Sequence, residues 1–135
     1  MSGETDLDSM LRSMSPELSQ GEYVFCSFDV GRYGDWQALE PFASIQEPEG
    51  LTLVLPRAQA DAHGHPYEAT FRRITLMVHS SLEGVGLTAA VSGALAQSGI
   101  SANMIAGYYH DHLFVPIADA RKAMDLLQQL THRPS

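Results

Sequence analysis

Two periods of hydrophobic and polar residues run along this chain, and they sort it into helices and strands. Near the N-terminus Leu7, Met10, Leu11 and Met14 recur at helical spacing. They predict one apolar helix face within residues 1–15, capped by Thr5 or Asp6 and stopped by Pro16. Such a helix is expected to lie across the surface of the domain. Residues 22–28 are rich in aromatic and other strand-favouring side chains and read as a strand. A loop over 29–35 carries Gly31 and Gly34, and a short helical turn is expected around Trp36 and Leu39. Strands 42–46 and 51–55 flank the turn Glu47-Pro48-Glu49-Gly50. Pro56 suits the first turn of a short Ala-rich helix, which Gly64 and Pro66 end.

The pattern sharpens from residue 71 onward. A strand over 71–78 alternates Ile74, Leu76 and Val78 against Arg73, Thr75 and Met77. After a polar turn at 79–86, a helix over 87–98 places Leu87, Val91, Ala94 and Leu95 on one face, and Gly99 closes it. Strands 100–107 and 113–116 flank the polar, aromatic segment 108–112. A last helix over 118–130 has Ala120, Met124 and Leu127 as its buried stripe, and the tail 131–135 is expected to fray. There is also an internal echo. Leu53-Val54-Leu55-Pro56 leads to Ala58 and Ala60, and sixty residues on Leu113-Phe114-Val115-Pro116 leads to Ala118 and Ala120.

The β-α-β-β-α order with short connections fits an α+β, ferredoxin-like fold, an antiparallel sheet with helices on one face. Two such units in tandem divide the chain into a helical extension at 1–20, a truncated unit at 21–68 and a full unit at 69–131. The second half lacks its last strand, and the strand at 22–28 is the expected substitute, with 71–78 serving both halves. The first half lacks a long helix after its first strand.

Composition removes several function classes. Lys and Arg total 8 against 16 Asp and Glu, a net charge of −8, so the clustered cations that phosphate backbones require are missing and no nucleic-acid partner is expected. No stretch is long and apolar enough for a membrane span, and the acidic, Ser-rich start does not read as a signal peptide. The single cysteine, Cys26, lies in a predicted strand, where it reads as a small buried apolar group. These features predict a soluble cytoplasmic protein.

Three short motifs stand out in the second half: His79-Ser80-Ser81-Leu82, Gly86-Leu87-Thr88, and Tyr108-Tyr109-His110-Asp111-His112-Leu113-Phe114-Val115-Pro116. With these motifs residues 71–130 closely resemble the ACT-domain family. The first half, with Glu49-Gly50-Leu51-Thr52 and Leu55-Pro56, resembles the truncated ACT-like unit that accompanies it in small bacterial proteins. Commoner ACT domains have Pro-Gly before the first helix, whereas Val85 holds the proline position here, with Gly86 after it. The resemblance implies tandem ACT-like domains that regulate rather than catalyse, in a family whose members bind amino acids between domains or subunits. The Asp111-His112 segment is also similar to that of cytosolic arginine sensors built from ACT domains.

The expected ligand site has two parts. The first is the turn and helix start formed by Ser80, Ser81, Leu82, Glu83, Gly84, Val85, Gly86, Leu87 and Thr88. Glycines let backbone approach a ligand, and the free N–H groups and dipole of a helix start favour a carboxylate. The alternative is that Ser81 or Glu83 simply caps the helix. The second part is Met104, Ile105, Ala106, Gly107, Tyr108 and Asp111, in which the Asp111 carboxylate receives an ammonium or guanidinium. The alternative there is a solvated hairpin turn. His79, His110, Asp111 and His112 have metal-ligand chemistry, but nothing brings His79 to the others, and no metal or other cofactor is expected. No serine sits in a nucleophile turn, so no catalytic set is expected. Two functions follow: a non-catalytic sensor of an amino acid or similar small ligand, and a ligand-independent oligomerisation or protein-interaction module. A homodimer suits both, because short sheets leave strand edges to cover.

Overall fold

The structure, a computed structural model, describes residues 6–78 and 86–132. By contacts the chain forms two compact units: residues 1–20 with 72–135, and residues 21–71. Each has its own hydrophobic core and is α+β with antiparallel strand pairing, as the apolar periods predict.

The first unit begins with α1 (Leu7–Arg12), capped as expected by Asp6, whose carboxylate accepts the Ser9 N–H at 3.0 Å. The helix keeps Asp8 and Arg12 at the surface, as expected, and its other face is closed over. Met10 and Met14 are completely buried and share the core with α3 (Leu87–Gln97) and α4 (Ala120–Thr131). Ser15 adopts a left-handed conformation (φ 45°), and the chain then forms a strand that the sequence pattern does not reveal, β1 (Pro16–Leu18). It pairs antiparallel with β5 (Phe71–Leu76), in the register Pro16–Leu76, Glu17–Thr75 and Leu18–Ile74. Proline is tolerated at a strand's first residue, where no ladder N–H is required. The missing strand of the second half is therefore Pro16–Leu18, not the stretch at 22–28. The remaining strands are β6 (Asn103–Ala106) and β7 (Asp111–Pro116), and the sheet order is β1-β5-β7-β6.

The helix faces follow the predicted stripes. Leu87, Val91 and Leu95 of α3 are buried, as are Ala120, Ala123 and Leu127 of α4, with Met124 partly so. They pack with Ile74, Leu76, Leu113 and Val115 from alternate positions of β5 and β7.

The second unit contains β2 (Tyr23–Phe28), β3 (Ala43–Glu47) and β4 (Gly50–Pro56), in the order β3-β4-β2, and Tyr23 also pairs with Phe71. Its one α-helix is α2 (Arg57–Ala62), and the place of a long helix after β2 is taken by a loop with a single 3₁₀ turn, Gln37–Leu39. Leu39 closes the core formed by Val24, Cys26, Leu51, Leu53, Leu55 and Ala60. Burial pushes the Cys26 thiol up, away from nucleophilic thiolate chemistry.

The internal echo is structural. Pro56 and Pro116 both end a strand and cap the helical turn that follows, with φ/ψ of −55°/131° and −54°/143°. The three residues before each proline are all completely buried.

Candidate functional site

Of the residues expected to bind a ligand, Ser80, Ser81, Leu82, Glu83, Gly84 and Val85 lie outside the described residues. Gly86 is the N-cap of α3, in a left-handed conformation (φ 102°), and it has no side chain to offer the helix. The first-turn N–H groups therefore receive no side-chain acceptor from the N-cap. A Cβ at Gly86 would meet Leu7 Cδ2 at 3.2 Å, so α1 packs directly under the helix start. Leu87 faces the core, and Thr88 is exposed, its carbonyl accepting the Ser92 hydroxyl at 2.6 Å.

The other expected residues come together in one hairpin. Met104 pairs with Leu113, Ile105 with His112, and Ala106 with Asp111. Met104 packs against the first unit's core, and Ile105 is on the opposite face. The turn is tight: Gly107 N–H donates to the His110 carbonyl at 2.9 Å. A Cβ at Gly107 would lie 2.8 Å from that same oxygen. Asp111 and His112 are therefore strand residues, not turn residues, and the half-buried Asp111 points to the same side as Leu113. Tyr108 and Tyr109 are 60% and 63% exposed at the tip, with rings edge to face at 5.1 Å.

One side-chain contact fixes where this hairpin sits. Thr75 Oγ1 and His112 Nδ1 are 2.9 Å apart, joining the last turn of residues in β5 to the first in β7. The start of β7 thus lies beside the end of β5, from which the chain leaves towards α3. His110 Nδ1 is buried without a hydrogen-bond partner. Among the described residues no three His, Cys, Asp or Glu side chains converge as a metal site would require.

Burial lowers the pKa of His112 below its ordinary value near 6.5, and Arg73 and then His110 push it the same way. Folding therefore makes this imidazole harder to protonate. As pH falls through 6.5 the unfolded chain takes up the proton first, so stability falls on acidification. Urea midpoints are expected to drop between about pH 7.5 and 5.5, and His112→Gln, which keeps a partner for Thr75, should flatten that slope. An unchanged slope in the variant would assign the effect to other groups.

The sequence reading missed a cavity in the second unit. It is a half-open cavity of about 290 Å³ between the loop at 33–37 and the residues 41–44 leading into β3, with Leu53 among the residues around it. Tyr33, Asp35 and Ser44 line it; Tyr33 and Asp35 belong to no motif or periodic element, and Ser44 lies in the expected strand at 42–46. The loop marked by Gly31 and Gly34, the helical turn expected around Trp36 and Leu39 and the strand at 42–46 indicate local order there but not a cavity.

Comparison with known proteins matches the chain twice to family models described as ACT domain, over residues 2–72 and 68–129. A Vibrio cholerae protein of unknown function shares 52% identity, with a TM-score of 0.84, covering 93% of this chain and 95% of that one. An Agrobacterium tumefaciens protein shares 17% identity with a TM-score of 0.71, over 86% of this chain and 87% of its own. The regulatory subunit of aspartate kinase from Thermus flavus shares the fold at 14% identity and a TM-score of 0.58, over 85% of this chain and 95% of its own. No curated protein resembles the chain closely enough to count as a match. Among the described residues no helix is long and apolar enough to cross a membrane.

Proposed function

This chain belongs to the ACT domain family, and from that premise we propose that it is a non-catalytic regulatory protein that binds an amino acid and acts as a homodimer. ACT domains are regulatory modules, which supports a ligand-binding role in general. The finer reading rests on one observation. The Thr75–His112 contact draws the start of β7 to the end of β5, so Asp111 stands at the end of the sheet from which the chain leaves for α3.

An amino acid needs donors for its carboxylate and an acceptor for its ammonium. We assign the donors to the segment Ser80, Ser81, Leu82, Glu83, Gly84 and Val85, with Gly86, Leu87 and Thr88 at the start of α3. The acceptor is Asp111, with Met104 and Ala106 on its side of the hairpin and Gly107 and Tyr108 at the turn, whereas Ile105 faces the other side of the sheet. Calorimetric titration with each of the twenty amino acids tests this. At least one should bind saturably, and Asp111→Asn should weaken it by about tenfold or more, the loss of one charge-assisted contact. Equal binding by parent and variant would remove Asp111 from the site.

A second reading, a ligand-independent interaction module, is favoured by the exposure of Tyr108 and Tyr109 at the hairpin tip. Aromatic side chains of this kind are enriched where proteins meet. Solution scattering at tens of micromolar separates the homodimer that both readings require from a monomer of 14.7 kDa.

A further inference from the structure

We propose that the loop after β2 is a docking surface for a basic protein segment, one in which arginine or lysine alternates with apolar residues. The observation is an apolar group that takes no part in the core. Val30 is 96% exposed, Tyr33 82% and Trp36 45%, all within residues 30–36. None of the three belongs to the core of the second unit. Exposed apolar residues scattered singly are ordinary, but several on one short loop mark a surface that meets a partner.

The loop is held in place, so the group is presented in a fixed arrangement. Gln46 of β3 grips it from the side: its Oε1 accepts the Tyr33 N–H at 2.9 Å, and its Nε2 donates to the Gly31 carbonyl at 3.2 Å. Gly31 lies so close to β4 that a Cβ there would meet Leu51 Cβ at 2.8 Å. Trp36, left-handed at φ 66°, sets its ring 4.9 Å from that of Phe28 and 5.3 Å from that of His65. A surface already fixed loses little conformational freedom on binding, a cost that otherwise consumes much of the affinity.

Charge selects the partner. Residues 21–71 hold eight Asp and Glu against two arginines, Arg32 and Arg57, and so carry most of the chain's net charge of −8. Arg57 is paired with Glu22 at 2.7 Å. Asp29 and Asp35 are interleaved with the apolar group along the loop, and both are exposed. A field of this sign draws in a cationic segment and opposes a second copy of this unit meeting it through the same face. It opposes a nucleic acid for the same reason. Guanidinium and ammonium groups also settle over the faces of Trp and Tyr rings, and apolar residues of the segment cover Val30.

The test uses Trp36, the single tryptophan of the chain, whose emission reports on this loop. The probe is an acetylated and amidated hexapeptide of alternating leucine and arginine, beside the leucine–glutamate hexapeptide and hexa-arginine, all at physiological ionic strength. The leucine–arginine peptide should shift the emission saturably, and the leucine–glutamate peptide should leave it in place. Hexa-arginine should bind about tenfold more weakly, for want of apolar contacts. Val30→Ser combined with Tyr33→Ser removes exposed side chains only, so the double variant should keep the parent's Tm and bind the leucine–arginine peptide about tenfold more weakly. Tyr109→Ser, at the tip of the β6–β7 hairpin, should bind it as the parent does. The proposal is overturned if that peptide gives no saturable shift, if either control peptide matches it, if the double variant binds unchanged, or if Tyr109→Ser weakens binding as much. It is also overturned if the emission of the protein alone shifts with its own concentration and the double variant abolishes that shift, which would make a second copy the occupant.

Discussion

Gly50→Ala is expected to destabilise the unit at 21–71 by about 3–4 kcal/mol, adding backbone strain to a steric clash. Gly50 starts β4 at φ 148°, opposite Glu47 across a two-residue turn. A Cβ there would lie 2.5 Å from the Phe28 carbonyl oxygen and 3.1 Å from Asp29 Cα. Both are backbone atoms, at the last residue of β2 and the one after it, and cannot swing aside as a side-chain tip would. Gly64→Ala is the control. It also has a positive φ, 71°, but nothing lies within 4 Å of its Cβ position. That change should cost about 1–2 kcal/mol, the strain alone. Denaturant melts of the two variants separate clash from strain, and similar losses in both would mean that the close approach to Phe28 does not exist.

The second large effect concerns the N-terminus. Met10→Ala should cost about 2–5 kcal/mol, as for other large-to-small changes in closed cores. Met10 has 0% exposure and sits among residues of α3, α4, β5 and β7. A helix merely laid on the surface would lose about 0.5 kcal/mol or less. The urea midpoint of the single variant decides between those two numbers. Met14, also at 0% exposure, should behave in the same way.

These two cases show where local pattern ends. The stripe Leu87, Val91, Leu95 and the strand–proline repeats at Pro56 and Pro116 are set by nearest neighbours, and the chain displays them openly. The spacing of Leu7, Met10, Leu11 and Met14 likewise predicts a helix, but periodicity says which residues share a face and not what covers it. Strand β1 has three residues, one of them proline, too few for any alternation, and its partner β5 is more than fifty residues away. The Thr75–His112 contact spans 37 residues and is equally silent in sequence. Asp111 and His112 read as turn residues because Asp and His suit turns, yet pairing with Ala106 and Ile105 draws both into β7. The cavity beside β3 was illegible for a further reason. It is made where a helix is missing, between the loop after β2 and the start of β3, and periodicity says nothing about the space such a loop leaves.

The central claim, that this is an amino-acid sensor with Asp111 as its acceptor, is most directly tested by thermal unfolding of parent and Asp111→Asn with each amino acid in turn. A ligand at about a hundred times its dissociation constant adds roughly 2.7 kcal/mol, a rise of several degrees in Tm for a chain of this size. The account predicts such a rise for at least one amino acid in the parent and its loss in Asp111→Asn, with the apo Tm of the two proteins nearly equal. No rise with any amino acid, or the same rise in both proteins, would contradict it.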